Sequence, residues 1–225
     1  QVEMKYMTAK EEDILTNQNL LKQGRALDKL YESLIIGNGE GQPVNIDDMI
    51  VGDKSAIMIA TRVLGYGADY EISLTHPDSG KQFKHTVDLT DLKPKQVDLS
   101  LYKNSRELEY TLPISKKVIV FKIRTTREES EIAREVARQE KAGISKPITT
   151  ALKYCIVSID GETDKQFISK FIDNDLLARD SLELRKFILT VTPDYDLTIR
   201  VTNKENNYDQ DITLPIDVNF FWPRV

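Results

Sequence analysis

Residues 68–89 read ADYEISLTHPDSGKQFKHTVDL. The flanks YEISL and FKHTVDL alternate apolar and polar residues as half-buried strands do, and PDSG supplies the turn between them. Both histidines of the chain, His76 and His85, fall in or beside that turn. The stretch could therefore be a metal site, an active site or a plain hairpin.

A second stretch bears on the choice. PDYDLTIRVTNKENNYDQDITL (193–214) also reads strand, turn, strand, and 69–89 lies over 194–214 without a gap. Asp69-Tyr70 falls on Asp194-Tyr195, Ile72 on Leu197, Leu74 on Ile199, Phe83 on Tyr208, and Val87 and Leu89 on Ile212 and Leu214. The preceding helix matches too, with Ile57, Val63 and Leu64 over Leu182, Ile188 and Leu189. Farther upstream TAKEEDIL (8–15) resembles TREESEIA (126–133), and YESLIIGNG (31–39) resembles YCIVSIDGE (154–162). The order implies an internal duplication: a first repeat over 8–90, a linker and middle hairpin over 91–125, a second repeat over 126–215, and an aromatic tail over 216–225. Coincidence between amphipathic helices and hairpins is the competing explanation. Under the duplication His76 and His85 fall on Val201 and Gln210, so a shared job of the two hairpins needs no histidine.

Helix signals fill the rest. Thr8 and Glu11 form a capping box that opens a helix through Gln23. LDKLYESLII (27–36) has apolar residues at helical spacing, and IGNGEGQP breaks it. Asp53 caps a helix over SAIMIATRVL, stopped by Gly65 and Gly67. RELEYTL (106–112) and KKVIVFKI (116–123) read as the middle hairpin. Thr126 and Glu129 form a second capping box for the charged helix 127–141, and ITTALKYCIVSI (148–159) reads as a buried helix. Thr163 to Gln166 opens helix 164–173, and Asp180 to Glu183 opens helix 181–190. The expected class is α+β: two similar helical lobes, each bearing a β-hairpin, with a further hairpin between them.

Composition narrows the function classes. A chain of 225 residues that is 40% hydrophobic and 30% charged can bury a core and stay soluble. Its net charge of −5 argues against nucleic acid, whose binders present a basic face. No run of about 20 apolar residues is present, so no helical membrane span is expected. The first residues, QVEMKYMTAKEED, are polar and acidic, unlike a signal peptide. The lack of an initiator Met points to a trimmed, processed or renumbered start. The lone cysteine, Cys155, sits among apolar neighbours and reads as a buried, inert thiol.

Catalytic and metal chemistry find little support. A zinc site needs about four ligands, usually Cys and His in tight pairs; here His76 and His85 have only Asp78 and Asp88 for company. GNGEG (37–41) leaves a helix, whereas a phosphate loop enters one. The carboxylate runs Glu11-Glu12-Asp13, Asp47-Asp48 and Glu128-Glu129 lie at helix starts, where negative charge complements the helix dipole. No catalytic residue, metal ligand or cofactor site is assigned. Two features point to partners. Helix 127–141 carries a narrow apolar stripe that includes Ile132 and Val136. The end of the chain, LPIDVNFFWPRV, offers Phe220, Phe221, Trp222 and Pro223, which either fold back onto the chain's own core or insert into a neighbour.

Several stretches carry a family resemblance: MTAKEEDILTNQNLLKQGRALDKLYESLI (7–35), VGDKSAIMIATRVLGYGADYEISL (51–74), ARDSLELRKFI (178–188) and ITLPIDVNFFWP (212–223). Together they resemble the T4-type phage baseplate hub protein family, from about Lys5 to Pro223. Many relatives carry CPxC-type pairs in both hairpins, like zinc ribbons. Here LTHPDSG and RVTNKENN stand in those places, so the resemblance implies zinc-ribbon-like hairpins whose metal ligands are lost.

The resemblance further implies a non-enzymatic structural or adaptor protein of the contractile tail baseplate. Its expected partners are hub, wedge or tail tube proteins, with several copies per particle, no nucleic acid and no membrane. It would be assembled in the host cytoplasm and reside in the virion. A transient hub-assembly chaperone absent from the virion is the alternative, and a metal-dependent enzyme a remote one.

Overall fold

The computed structural model describes residues 2–102, 105–203, 208–216 and 218–221. The fold is α+β, with eight α-helices and small antiparallel sheets among the described residues. The chain separates into two compact units. One comprises residues 1–46, 54–95 and 194–225, the other 47–53 and 96–193. This division cuts the chain differently from the tandem segments 8–90 and 126–215, because 194–225 belongs with the first unit.

In the first unit, strand β1 (Val2–Met4) is followed by helices α1 (Ala9–Thr16), α2 (Gln18–Lys22) and α3 (Ala26–Leu34). The single helix expected through Gln23 is two, because Asn17 leaves the helical region (φ −65°, ψ 106°) and its side chain recaps the backbone N–H groups of Asn19 and Leu20. The helical pattern 27–36 also ends early. Ile35 turns extended and starts strand β2 (Ile35–Asn38), which pairs antiparallel with β1. Adjacent β-branched residues favour the pleated backbone once a partner strand is at hand. Helix α4 (Val51–Tyr66) begins two residues before Asp53, which therefore lies in its first turn and is not its cap.

Arg62 closes the far end of α4. It is 3% exposed, donates to the Gly67 carbonyl at 2.7 Å and the Asp69 carbonyl at 2.8 Å, and lies over the Tyr66 and Tyr70 rings. The guanidinium thus satisfies carbonyls at the helix end and fixes the turn into the hairpin β3 (Asp69–Thr75) and β4 (Gln82–Asp88).

The second hairpin does not repeat the first in register. The gapless alignment would set Tyr195 opposite Ile212, as Tyr70 is set opposite Val87; instead Ile212 faces Ile199. Tyr195–Asp196 forms its own short strand, β9, paired with β5 (Lys93–Pro94). The Asp196 carboxylate accepts from the Thr198 N–H and bends the chain before β10 (Thr198–Asn203) and β11 (Tyr208–Thr213). The two hairpins meet through rings: Tyr208 lies edge-on to Phe83 at 4.9 Å and to His76 at 5.9 Å. A 3-10 turn, Val218–Phe221, then brings Phe220 and Phe221 into the core beside Tyr70 and Tyr31.

In the second unit, β6 (Glu107–Thr111), β7 (Val118–Lys122) and β8 (Ile156–Ile159) form one antiparallel sheet in that order. The middle hairpin is present, but it is two strands of a larger sheet. Residues 148–159 are not one helix: α6 (Pro147–Cys155) gives way at Ile156 to β8. The switch copies that at Ile35, with φ/ψ of −75°/127° against −75°/123°. Helices α5 (Thr126–Lys141), α7 (Lys165–Asn174) and α8 (Ala178–Val191) complete the unit. Its core gathers Leu112, Ile119, Phe121 and Ile159 from the sheet region with Leu152, Phe171 and Leu184 from the helices.

Caps shift by a residue or more from the sequence reading. Thr125 with Glu128, not Thr126 with Glu129, forms the capping box of α5. Asp164 caps α7. Helix α8 starts at Ala178 behind Leu177, and the buried Asp180 carboxylate instead accepts from the Ile114 and Ser115 N–H groups at 2.8 and 3.0 Å, holding the β6–β7 turn. The two capping boxes share an unforeseen detail: a lysine six residues before the glutamate pairs with it, Lys5 with Glu11 and Lys122 with Glu128.

Candidate functional site

The histidines are built into the hairpins. His76 Nδ1 accepts the N–H groups of Asp78 and Ser79, both at 3.3 Å, so the ring shapes the turn. His85 faces Ile72 across the hairpin and lines an open, polar cleft of about 350 Å³ with Asp88, Asp91, Lys93, Asp196 and Arg200. Several charges there already have partners. Asp88 accepts from the Thr90 hydroxyl at 2.6 Å, and that bond holds its carboxyl below the ordinary range. Arg200 donates to Asp209 at 2.7 Å and to Asp211 at 3.5 Å. Among the described residues no group of three or more His, Cys, Asp or Glu is placed to hold a metal ion.

The carboxylate runs do local work. Glu11 is fully buried and accepts from the Thr8 hydroxyl at 2.6 Å, the Thr8 N–H at 2.9 Å, the Ser33 hydroxyl at 2.8 Å and Lys5 Nζ at 2.9 Å. The Thr8 hydroxyl and Lys5 hold its carboxyl far below the ordinary range, against the opposing pull of burial. Glu12 accepts from Tyr66, Asp48 and Asp47 face Arg127, and Glu129 pairs with Arg124. For Glu128 burial is the largest influence and acts upward. The Lys122 and Thr125 bonds together outweigh it, so the carboxyl is lowered. Burial pushes the Cys155 thiol up to about 11, which removes it as a nucleophile at neutral pH. The GNGEG loop closes on itself, Asn38 Oδ1 accepting from the Glu40 and Gln42 N–H groups.

The side chains read as partner anchors are largely used inside the chain. Phe220 and Phe221 are fully buried and stack edge-on against each other at 5.2 Å. Ile132 is 7% exposed and Val136 half-buried, so α5 turns these two side chains toward its own unit. Trp222 and Pro223 lie outside the described residues.

A different surface stands open. In the second unit α6 and α8 flank a groove of about 310 Å³ with Leu152, Cys155 and Ile188 among its apolar lining residues. Ile148 and Leu189 also line it, 46% and 66% exposed, and among the described residues the only charged ones lining it are Arg124 and Arg185. Leu182 of α8 and Ile144, just before α6, are further exposed apolar residues of this unit. The signal was in the sequence: ARDSLELRKFILTV carries Leu182, Leu184, Phe187, Ile188, Leu189 and Val191, more apolar residues than one buried face accommodates. A charge-poor apolar groove with arginines at its border suits a protein partner better than a reaction.

A family model described as T4 bacteriophage base plate protein matches residues 1–222. The chain belongs to that family. Comparison with curated proteins and with solved structures returned no match. A T4-type base plate protein is a structural component of the phage tail, and its partners are other base plate proteins. Among the described residues no helix is long and apolar enough to cross a membrane.

Proposed function

We propose that this base plate protein is a non-enzymatic adaptor of the contractile tail that binds hub or wedge proteins. The α6–α8 groove carries the reading: an apolar surface bordered by arginines and lined, among the described residues, by no carboxylate is a contact surface awaiting cover. Internal duplication gives such an adaptor two related sets of elements. It is supported by the paired lysine–threonine–glutamate caps and by the matching helix-to-strand switches at Ile35 and Ile156. The first unit then contains the hairpins of both repeats.

Quantitative mass spectrometry of purified virions tests this, counting the chain against the major tail tube protein. A fixed ratio of several copies per particle is expected. Absence from virions, with abundance in infected-cell lysate, refutes the adaptor and leaves the transient assembly factor.

A further inference from the structure

We propose that the α6–α8 groove receives an acidic amphipathic helix from another base plate protein. Large apolar side chains at i and i+4 would sit over Leu152, Cys155 and Ile188, and a carboxylate would pair with Arg185. The inference rests on the adaptor reading and specifies its partner by chemistry.

Two observations carry it. The first is the lining. Its apolar residues include Ile148 and Leu189, and the groove runs between helices, so it presents side chains and no open strand edge. That geometry suits an amphipathic helix and leaves nothing for strand addition. The second is charge. Arg124 is paired with Glu129 at 2.9 Å. Arg185 is half-buried, its Nε donates to the Ser181 carbonyl at 3.2 Å, and no described carboxylate pairs with it. A half-buried guanidinium beside an apolar groove binds best to a carboxylate that the groove itself does not supply. The chain as a whole carries −5, so this basic border is a local feature and not a general attraction for acids.

The test selects displayed random peptides of about four helical turns, roughly 15 residues, on the whole chain after depletion on Leu189→Glu. Leu189 is 66% exposed, so this variant should fold; circular dichroism checks it, and Ile148→Asp serves as a second depletion target. The expected peptides carry large apolar residues at i, i+4 spacing with flanking Asp or Glu. Arg185→Glu should weaken them about tenfold, as for loss of one charge-assisted hydrogen bond. Lysine-flanked versions should gain affinity for that variant.

Three outcomes overturn the proposal: no peptides that depend on the groove, a consensus without carboxylates, or affinity indifferent to Arg185→Glu. A wild-type dimer that Leu189→Glu makes monomeric also overturns it, since a second copy then covers the groove. The virion count is independent of these results. A fixed count with no acidic preference removes this inference and keeps the adaptor. A missing count removes both.

Discussion

Phe221→Ala should destabilise the free, partnerless chain. The phenyl ring is 0% exposed, with its centroid 6.4 Å from that of Tyr31 and 5.2 Å from that of Phe220. Emptying a buried phenylalanine site costs about 3–5 kcal/mol, and each lost edge-to-face pair adds about 0.5–1.5 kcal/mol. The truncation cost already contains part of the lost ring contact, so we set the expectation at about 4 kcal/mol. For a chain of this size that corresponds to roughly 8–16 °C in Tm. Urea unfolding followed by far-ultraviolet circular dichroism measures it, with Phe221→Leu as a milder control expected near 1 kcal/mol. Two compact units can unfold in two steps; the loss should then fall on one step and spare the other. A change below about 1 kcal/mol in the free chain would refute the reasoning. It would mean that Phe221 is held out for a neighbour.

Three further expectations follow from buried polar groups and a tight loop. Glu11 has a lowered folded pKa, so its contribution is complete above the ordinary carboxylate value of 4.5 and is lost as pH falls below it. Urea midpoints between neutral and acid pH should fall less steeply for Glu11→Gln than for wild type, and parallel curves would exclude this role. Arg62→Lys should cost about 2–3 kcal/mol, since one ammonium cannot serve the Gly67 and Asp69 carbonyls in the same fork; wild-type thermal stability in this variant would contradict the account. Gly37→Ala places a Cβ 2.7 Å from the Gln42 carbonyl oxygen, so the loop must open, at about 1–3 kcal/mol. Amide exchange should rise at the Asn38 and Gly41 N–H groups, and unchanged exchange would show that the loop yields without strain.

Elements defined by local chemistry were legible in the sequence. Alternation marked β3–β4 and β6–β7, and the threonine–glutamate boxes marked α1 and α5 to within a residue. What escaped depends on distant partners. Ile35-Ile36 and Ile156-Val157 extend a helical pattern when read locally, and become strands only because β1 and β7 lie beside them. Tyr195 looks like part of the hairpin strand until the Asp196–Thr198 hydrogen bond turns the chain and leaves Tyr195 paired with β5 instead, which periodicity cannot register. The sequence leaves the role of the aromatic tail open for a related reason. Phe220 and Phe221 can fold back or insert into a neighbour as far as the sequence says, and only packing shows them against Tyr70 and Tyr31. Nothing in the sequence says which apolar residues of α8 are covered, and the fold leaves Leu189 66% exposed.

The first unit is made from residues separated by the whole of the second, and this orders events on the ribosome. Tyr31 is synthesised early, while Phe221, the ring it packs against, arrives nearly two hundred residues later. At roughly 5–20 residues per second that interval is about 10–40 s. The second unit needs nothing beyond residue 193 and can fold during the wait. If the α6–α8 groove binds as proposed, a chain cut short after the second unit would carry a finished groove and an unfinished first unit, able to occupy a partner and unable to build with it. Translation errors late in the message would then poison assembly, where earlier ones merely lower yield.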